Sequence, residues 1–481
     1  MTSTRSGMVV LACGWESGED SQGQGALNEG TAQATGARTG SYGLACDNNG
    51  VWTSDNFQDP YDGGTETAYC VGMAFSFYIE TWSGYTAGDA PFLAAHRASP
   101  NQAYLCIDEV GGNRKLQICE GDSGGTPAGA MLWTSSTTLS TATLYCVELL
   151  TYNGSGSSPT KGWPIRVKLF LSSTGALLDD SGWVRTSGGV AAYASVNSCG
   201  LGPGHVVTRL AGTYSIVYDD LVVTVGGPPP HIPKITHIFP NATGTDTAWT
   251  GDYTAVDEKP PGGDFLTTGS GGQDETHNGP ASGLTLTAAD RDSASNILCV
   301  TSWLYANKSA GTIKSLQHRL RTSSGGNNSL RSLVTSTTLV YHSQIYTKSP
   351  LSGNQWTATG GAETDIDALE FGVHSSTSLG VGNFQVDQNF LEVVYGKDGE
   401  PSSGTTLNEA LDTTEPVVTV ADGTKFLAGD LIQIDEEWML VSSIATNDLT
   451  VTRGKWTTPA AHVTGKTIYL HPWWGRQRGS V

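Results

Sequence analysis

The sequence predicts an all-β protein with two β-sandwich domains in series and a small C-terminal β-barrel. Only 15% of the 481 residues are charged, and 61 are glycine, a composition that suits many short strands joined by turns better than long helices. Runs of β-branched and aromatic residues are separated by turns rich in Gly, Pro and Asn. One such run, residues 216–225, leads into Gly226-Gly-Pro-Pro-Pro230, where a strand cannot continue because proline has no N–H donor.

This break divides the chain. We place the first sandwich at residues 1–226 and interpret residues 227–234 as a linker. Consecutive prolines favour an extended, semi-rigid polyproline form, so the linker is predicted to be a stiff spacer between two sandwiches. The second sandwich is predicted at 235–398, the barrel at 399–472 and a C-terminal tail at 473–481.

Charge and hydropathy exclude two classes of partner. The net charge is -20 with a sequence pI near 4.8, and binding to nucleic acid requires a basic face. No window of 18 apolar residues is present, so no membrane-spanning helix is predicted. The segment after Met1 lacks a convincing signal sequence, and we expect the mature chain to start at or near Met1.

In the first domain, strands are predicted over 8–13, 71–81, 103–120, 142–152 and 163–171. Gly112-Asn113 is a hairpin turn signal, and a turn centred there places Cys106 directly opposite Cys119. These two cysteines are candidates for a disulfide, and two thiols packed as apolar side chains are equally compatible. The eight cysteines show no Cys-x-x-Cys spacing, which argues against a zinc site.

The order of these segments resembles the concanavalin-like jelly-roll family, which includes laminin-G-like and legume-lectin-like sandwiches. The resemblance rests on Leu144-Tyr-Cys-Val-Glu-Leu-Leu150, Ile165-Arg-Val-Lys-Leu-Phe-Leu171 and Tyr218-Asp-Asp-Leu-Val-Val223, and it covers roughly residues 8–225. It implies a jelly roll in which the strand at 216–225 returns beside the N-terminal strand.

If the two ends meet, five carboxylates come together: Glu16, Glu19, Asp20, Asp219 and Asp220. Such hard oxygen ligands suit Ca²⁺, so these residues are candidates for a structural calcium site. The alternative is that they are solvated turn residues. No other cofactor is expected.

The second and third domains resemble modules of tailed-bacteriophage structural proteins. In the second domain the resemblance rests on Pro240-Asn241, Trp249, Tyr253, Val256-Asp-Glu258, Asp274 and Ala368-Leu-Glu-Phe-Gly-Val373. In the third it rests on Thr405–Asp412, Gly429–Val441, Leu449–Gly454 and Ala460-Ala-His462. This resemblance implies a virion component on the tail or the capsid surface.

The C-terminal tail combines aromatic and basic residues on an acidic protein. Trp473, Trp474, Arg476 and Arg478 are candidates for a docking peptide, because Trp and Arg dominate interaction hot spots. The alternative is a frayed tail whose tryptophans fold back.

The sequence disfavours two enzyme classes, chymotrypsin-like proteases and glycoside hydrolases. Cys119-Glu-Gly-Asp-Ser-Gly-Gly125 matches the nucleophile motif of chymotrypsin-like proteases, but Ser123 follows His96 by only 27 positions, far fewer than in that family. Glycoside hydrolases need two carboxylates across a cleft. Asp108, Glu120 and Glu148 do not form the Glu-x-Asp-x-x-Glu run typical of hydrolases with this fold.

The sequence therefore predicts a non-enzymatic structural component of a phage virion. We expect partners among other virion proteins and assembly as a homo-oligomer, with a trimer favoured. The alternative function is a receptor-binding or glycan-binding adhesin that contacts a host-surface glycan, and a glycoside hydrolase ranks below both.

Overall fold

A computed structural model describes most of the chain. The described residues are 8–15, 17, 24–26, 30–38, 41–47, 52–54, 70–85, 91–97, 103–120, 131–152, 164–185, 198–203, 212–225, 228–279, 296–310, 315–322, 325–329, 333–334, 337–356, 366–376, 382–397, 402–426, 428, 430–435, 437–454 and 458–472.

The protein is nearly all β, as the composition predicts. The strands of the first part are β1 Met8–Cys13, β2 Gln24–Ala26, β3 Gly30–Gln33, β4 Gly43–Asp47, β5 Trp52–Ser54, β6 Cys70–Ser83, β7 Phe92–Arg97, β8 Ala103–Val110, β9 Asn113–Glu120, β10 Met131–Thr134, β11 Leu144–Tyr152, β12 Pro164–Leu171, β13 Ala176–Asp180, β14 Val184–Arg185, β15 Ser198–Leu201 and β16 Thr213–Val225. Those of the second part are β17 His231–Ile238, β18 Ala242–Thr247, β19 Leu266–Thr268, β20 Gln273–Asn278, β21 Asn296–Lys308, β22 Ser315–Thr322, β23 Gly325–Asn328, β24 Leu333–Val334, β25 Val340–Tyr346, β26 Glu370–Ser375 and β27 Phe384–Lys397. The third part contains β28 Ser402–Thr406, β29 Val417–Thr419, β30 Asp430–Ile434, β31 Glu437–Ala445, β32 Asp448–Thr452 and β33 Thr467–Pro472, and short 3-10 helices lie at Tyr253–Ala255, Ile366–Ala368 and Gly423–Lys425.

The first sandwich consists of two antiparallel sheets. Sheet 1 has the order β13-β12-β11-β6-β16-β4-β3, with β1 also paired to β16 and β14 to β12, and sheet 2 has the order β10-β9-β8-β7-β15-β5-β2. Alternate residues of the long strands face inward. Phe75 and Val147 of sheet 1 therefore share one apolar core with Leu105 and Ile118 of sheet 2.

The two ends of the first domain meet, as the jelly-roll resemblance implies. β1 pairs antiparallel with β16, from Met8 opposite Val225 to Cys13 opposite Leu221. β16 also pairs along its length with β6, so it lies inside sheet 1. The long run of Val, Ile and Tyr in β16 is buried on both faces, which explains why it lacks an alternating polar pattern.

The predicted hairpin forms, but its register differs from the expected one. Val110 pairs with Asn113, so the turn is Gly111-Gly112 and not Gly112-Asn113. Both turn residues have positive φ, 61° and 78°, which glycine adopts without steric cost. The prediction that Cys106 lies directly opposite Cys119 is therefore wrong.

In the observed register Cys106 lies opposite Gln117, and Cys119 lies opposite Tyr104. The two cysteines are diagonal neighbours on one face of the hairpin, with α-carbons 6.8 Å apart, and they form a disulfide. A diagonal pair remains within reach of a bridge because side chains two positions along a strand point to the same side of the sheet.

The second sandwich also has two antiparallel sheets. Sheet 3 has the order β17-β27-β21-β25 with β19 paired to β27, and sheet 4 has the order β18-β20-β26-β22-β23 with β24 paired to β22. Two apolar clusters fill it, one around Phe371 and Val393 and one around Leu316 and Val373. Glu275 and His277 are also buried.

Residues 402–472 form sheet 5, with the order β28-β33-β30-β31-β32-β29. The histidine of the Ala-Ala-His462 motif is buried and bridges two carboxylates, Glu437 at 2.9 Å and Asp435 at 3.0 Å. Glu437 also pairs with Arg453 at 2.7 Å. Burial disfavours the charged form of Glu437, but Arg453, His462 and two backbone amides outweigh it and lower its pKa to about 2.

The outer face of sheet 1 is the surface on which the remaining chain packs. Seven buried side chains from sheets 1 and 3 form a separate apolar cluster between the two sandwiches: Val9, Ala12, Val222, Ile235, Cys299, Ile345 and Val394. The four sheets are consequently layered in the order 2, 1, 3, 4.

The three prolines lie in this packed region. Pro228, Pro229 and Pro230 are buried, and β17 already begins at His231. A β-carbon at Gly72 would lie 2.4 Å from the Pro229 nitrogen, so the chain passes directly over β6. The prediction that the prolines form a spacer between separate sandwiches is therefore wrong. The extended proline segment lies along the face of sheet 1, where the absence of a side chain at Gly72 leaves room for it.

Candidate functional site at the domain junction

Asp219 and Asp220, two of the predicted calcium ligands, form a bulge in β16. The pairing with β6 changes register between Asp219 and Val222, and Asp220 has a φ of 51°, a conformation that Asp tolerates better than β-branched residues do. A bulge bends a strand and redirects its side chains. Both aspartates are completely buried.

All four carboxylate oxygens of this bulge accept hydrogen bonds. Asp220 accepts one from Arg38 Nη1 at 3.0 Å and one from the Ile235 amide at 2.8 Å. Asp219 accepts one from the Arg38 amide and one from the Asp220 amide, each at 2.7 Å. The bulge thus connects the loop before β4 to β17, the first strand of the second sandwich.

Arg38 supplies the positive charge at this point. Its guanidinium also donates to the carbonyl oxygen of Pro233 at 2.5 Å, and its side chain is only 7% exposed. Burial disfavours the charged guanidinium, but Asp220 and Asp219 outweigh this and raise the pKa of Arg38. A guanidinium with several directed donors holds two chain segments in one relative orientation.

Glu392 of β27 forms a second buried junction. It accepts hydrogen bonds from the Gly14 amide at 2.9 Å, His237 Nε2 at 2.7 Å and Trp303 Nε1 at 2.6 Å. A β-carbon at Gly14 would lie 2.4 Å from the His237 ring, so glycine is required for this approach. The contact joins the end of β1 to the second sandwich.

Two further contacts complete the junction. Glu148 on β11 accepts hydrogen bonds from His231 Nδ1 at 2.6 Å and from the Ile232 amide at 3.2 Å. Sheet 5 docks elsewhere on the first sandwich, where Leu150 and Trp183 enter its core cluster and Arg185 pairs with Asp430 at 3.0 Å.

The chemistry of these contacts suits a structural role, because buried charged groups join the first sandwich to the second. Breaking a buried charge pair by removing one partner is strongly destabilising, whereas complete pairing keeps the cost of burial low. Asp220 and Glu392 each accept hydrogen bonds from donors of both sandwiches, and Glu148 of the first sandwich accepts them from His231 and Ile232 of β17. Buried hydrogen bonds of this kind fix orientation more than apolar packing does. We refer to the contacts of Asp219, Asp220, Glu392 and Glu148 together as the charged junction.

The calcium hypothesis named five carboxylates, two of which belong to this bulge. Glu16, Glu19 and Asp20 lie outside the described residues, and the oxygens of Asp219 and Asp220 are occupied by nitrogen donors. Within the described part of the chain, no group of three or more His, Cys, Asp or Glu is arranged to hold a metal ion.

The residues considered for catalysis are scattered or outside the described ranges. Ser123 is outside them, and His96 lies on β7 opposite Cys199. Asp108 lies on sheet 2, where it accepts a hydrogen bond from Tyr85, while Glu148 lies on the outer face of sheet 1 toward the second sandwich. These two carboxylates do not face each other across a cleft.

The predicted docking peptide, Trp473, Trp474, Arg476 and Arg478, also lies outside the described residues. Sequence reasoning missed Arg38 and Glu392 as partners in the junction. Arg38 had a weak signal, since it is a single cation in the Gly- and Thr-rich segment 30–40 of a chain with only 26 Lys and Arg residues.

Comparisons with known proteins give no close relative. No protein-family model matches the sequence, and no curated protein matches it. Among solved structures, a cellulose-induced protein, Cip1, shares 14% identity, with a TM-score of 0.28 over 44% of this chain and 96% of that chain. The alginate lyase Aly36B shares 10% identity, with a TM-score of 0.28 over the same shares of the two chains.

A sialidase of Trypanosoma rangeli shares 15% identity, with a TM-score of 0.25 over 40% of this chain and 27% of that chain. At such low identities and TM-scores, function has to be argued from the residues of this chain. No helix within the described residues is long and apolar enough to cross a membrane.

Proposed function

We propose that this protein is a non-enzymatic structural component of a tailed-phage virion, exposed on the tail or the head, whose modules act as one rigid block. The observation that carries the proposal is the charged junction. Three of its buried carboxylates, those of Asp220, Glu392 and Glu148, accept hydrogen bonds from donors in the other sandwich or on β17 across the boundary. Domains that move independently on flexible linkers do not share buried charged contacts of this kind.

A rigid block suits a particle component because assembly does not then have to order the domains against each other. The low charge density of the chain and its Thr- and Ser-rich strands fit a surface built from many short strands. Phage identity is supported by the module resemblance in residues 240–472. The partners would be other virion proteins and further copies of this chain, with a trimer favoured.

The decisive experiment uses purified particles of the phage whose genome encodes this chain. Density-gradient purification followed by mass spectrometry is expected to find the chain in the particle fraction in a fixed copy ratio, and electron microscopy with a specific antibody is expected to label the tail or the head. Recovery of the chain only from particle-free fractions would rule the proposal out.

The non-enzymatic part needs a separate test, because alginate lyases and a sialidase appear among the distant structural neighbours. The purified full chain is expected to release no product from alginate or from sialyl-oligosaccharides. Turnover that a substitution at Asp108 or Glu148 abolishes would contradict it.

A second candidate function, glycan binding, is favoured by one specific observation. Two nearly parallel aromatic rings lie next to two carboxylates at one end of the first sandwich.

A further inference from the structure

We infer that Trp82, Tyr85, Asp108 and Glu109 form a binding site for neutral carbohydrate, which we call the aromatic end patch. It lies where the end of β6, the start of β16 and the end of β8 meet. The inference is independent of the proposed virion role, since it rests on this patch alone.

The two rings share one orientation. The ring centroids of Trp82 and Tyr85 are 6.4 Å apart, and their planes differ by 14°. Gly84 has a φ of +69°, and this turn, which favours glycine, places Tyr85 beside Trp82. Both side chains are half-buried, so part of each ring is accessible to a ligand.

The Trp82 ring is fixed by contacts with Tyr214 and with the core of the first sandwich. The ring contacts Tyr214 edge-on, with centroids 4.6 Å apart and planes at 63°, and it packs against the core of the first sandwich. An aromatic surface fixed in this way loses little conformational entropy on binding. The C–H face of a pyranose ring is a flat apolar surface that can pack against it.

Each ring also orients one carboxylate. Trp82 Nε1 donates to Glu109 Oε1 at 2.7 Å, and the Tyr85 hydroxyl donates to Asp108 Oδ1. Burial, together with the bond to Asp108, raises the pKa of Tyr85 to about 12, so its hydroxyl remains a donor at physiological pH. The second oxygen of each carboxylate accepts no hydrogen bond from the described residues.

The cations nearest in register are engaged elsewhere. Arg114 and Lys115 lie directly opposite Glu109 and Asp108 on β9. Arg114 Nε donates to the carbonyl oxygen of Leu139 at 3.0 Å, and Lys115 Nζ donates to that of Ser136. Among the described residues, no ion pair neutralises either carboxylate of the patch.

These features select the ligand class. An ionised carboxylate only accepts hydrogen bonds, so its partner must donate, as sugar hydroxyls do, in charge-assisted bonds. Two carboxylates and a chain charge of -20 repel uronates and sialic acids. Aromatic faces with a few well-placed polar groups are typical of small-ligand sites. A neutral pyranose satisfies all of these conditions.

The test is isothermal titration of the full chain with cellohexaose, maltohexaose and chitohexaose, and with oligogalacturonate as the anionic comparison. At least one neutral probe is expected to bind with a Kd of about 1 mM or tighter, and the anionic probe is expected not to bind. The absence of heat with all three neutral probes at about 10 mM would overturn the inference.

Substitutions in the aromatic end patch test whether the carbohydrate binds there. Trp82 supports the core, so Tyr85→Ala and Asp108→Asn are the variants of choice, and each is expected to weaken binding by about tenfold. Tyr85→Phe is expected to retain more affinity than Tyr85→Ala, because the ring is kept. Tyr253→Ala, which removes a half-buried tyrosine of the second sandwich, is the matched control and should bind normally. Binding that survives both patch substitutions would place the site elsewhere and refute the assignment.

Discussion

Asp220 accepts a 3.0 Å hydrogen bond from the guanidinium of Arg38, a residue 182 positions earlier in the chain. Both side chains are buried, and the other oxygen of Asp220 accepts from the first strand of the second sandwich. Asp220 therefore joins the loop before β4 in the first sandwich to β17 of the second sandwich.

Replacing Arg38 with Ala should destabilise the protein by about 3 to 5 kcal/mol, because it leaves the Asp220 carboxylate buried without its cation. Denaturant unfolding of the full chain measures this loss. Lys425→Ala is the matched control, since it removes a more exposed pair with Asp422 and should cost about 1 kcal/mol or less. Equal losses for the two variants would show that the junction does not hold the modules together.

Gly72→Ala tests the position of the three prolines. A β-carbon there would lie 2.4 Å from the Pro229 nitrogen and 2.5 Å from Thr224 Oγ1, so we expect a loss of about 1 to 3 kcal/mol from overpacking. Gly111→Ala controls for the glycine substitution in the same sandwich, where nothing lies within 4 Å of the new carbon although the positive φ adds local strain. An unchanged unfolding temperature in Gly72→Ala would argue against packing of the proline segment on β6.

Glu275→Gln should change the pH dependence of stability. Burial raises the pKa of Glu275 to about 7, above the value of about 4.5 in the unfolded chain. The buried carboxyl therefore stabilises the fold most below pH 4.5, and this contribution is lost as pH rises through about 7, with a slope of at most about 1.4 kcal/mol per pH unit.

Gln can still accept the hydrogen bond that the Trp249 amide donates to Glu275 at 3.0 Å. The variant should therefore match the wild type near about pH 5 and exceed it near about pH 8 in thermal unfolding. The buried His277, whose pKa is lowered to about 4 by burial, is present in both proteins and cancels in the comparison. A difference that is constant with pH would exclude a shifted Glu275 pKa.

Cys106 and Cys119 should be recovered as one crosslinked peptide pair after digestion without reductant. The bridge spans 13 residues, and a loop of this size predicts a loss of about 2 to 3 kcal/mol on replacement of both cysteines by Ser. Cys146→Ser, at a buried free cysteine, serves as the control in the mass analysis and should leave the crosslink intact. Recovery of two free thiols at positions 106 and 119 would contradict the bridge.

Chelation of divalent cations should leave the unfolding temperature unchanged. Nitrogen donors already occupy the four oxygens of Asp219 and Asp220, so these residues have little capacity left for Ca²⁺. The measurement is thermal unfolding in EDTA and then in added Ca²⁺. A rise in unfolding temperature that depends on Ca²⁺ concentration would contradict this prediction and support the calcium site.

Several structural features followed from the sequence. Val, Thr and aromatic residues separated by Gly-rich turns determined an all-β fold, because these residues fit pleated, half-buried surfaces. The hairpin at Gly111-Gly112 was predictable to within one residue. The register was not, since Gly112-Asn113 carries nearly the same turn signal and only the full set of cross-strand contacts selects one pairing.

The pairing of Asp220 with Arg38, by contrast, was decided by the tertiary structure. Sequence alone shows two acidic residues in a strand, and it leaves open whether a cation pairs with them, as in a calcium site, or whether they are solvated turn residues. The fold supplies that cation from the loop before β4, 182 positions away. Likewise, three prolines determine an extended segment, but whether that segment spans a gap or lies on a sheet depends on a glycine at position 72, which local propensity cannot reveal. The sequence by itself therefore determined the local conformation, and long-range packing determined which surfaces and charges meet.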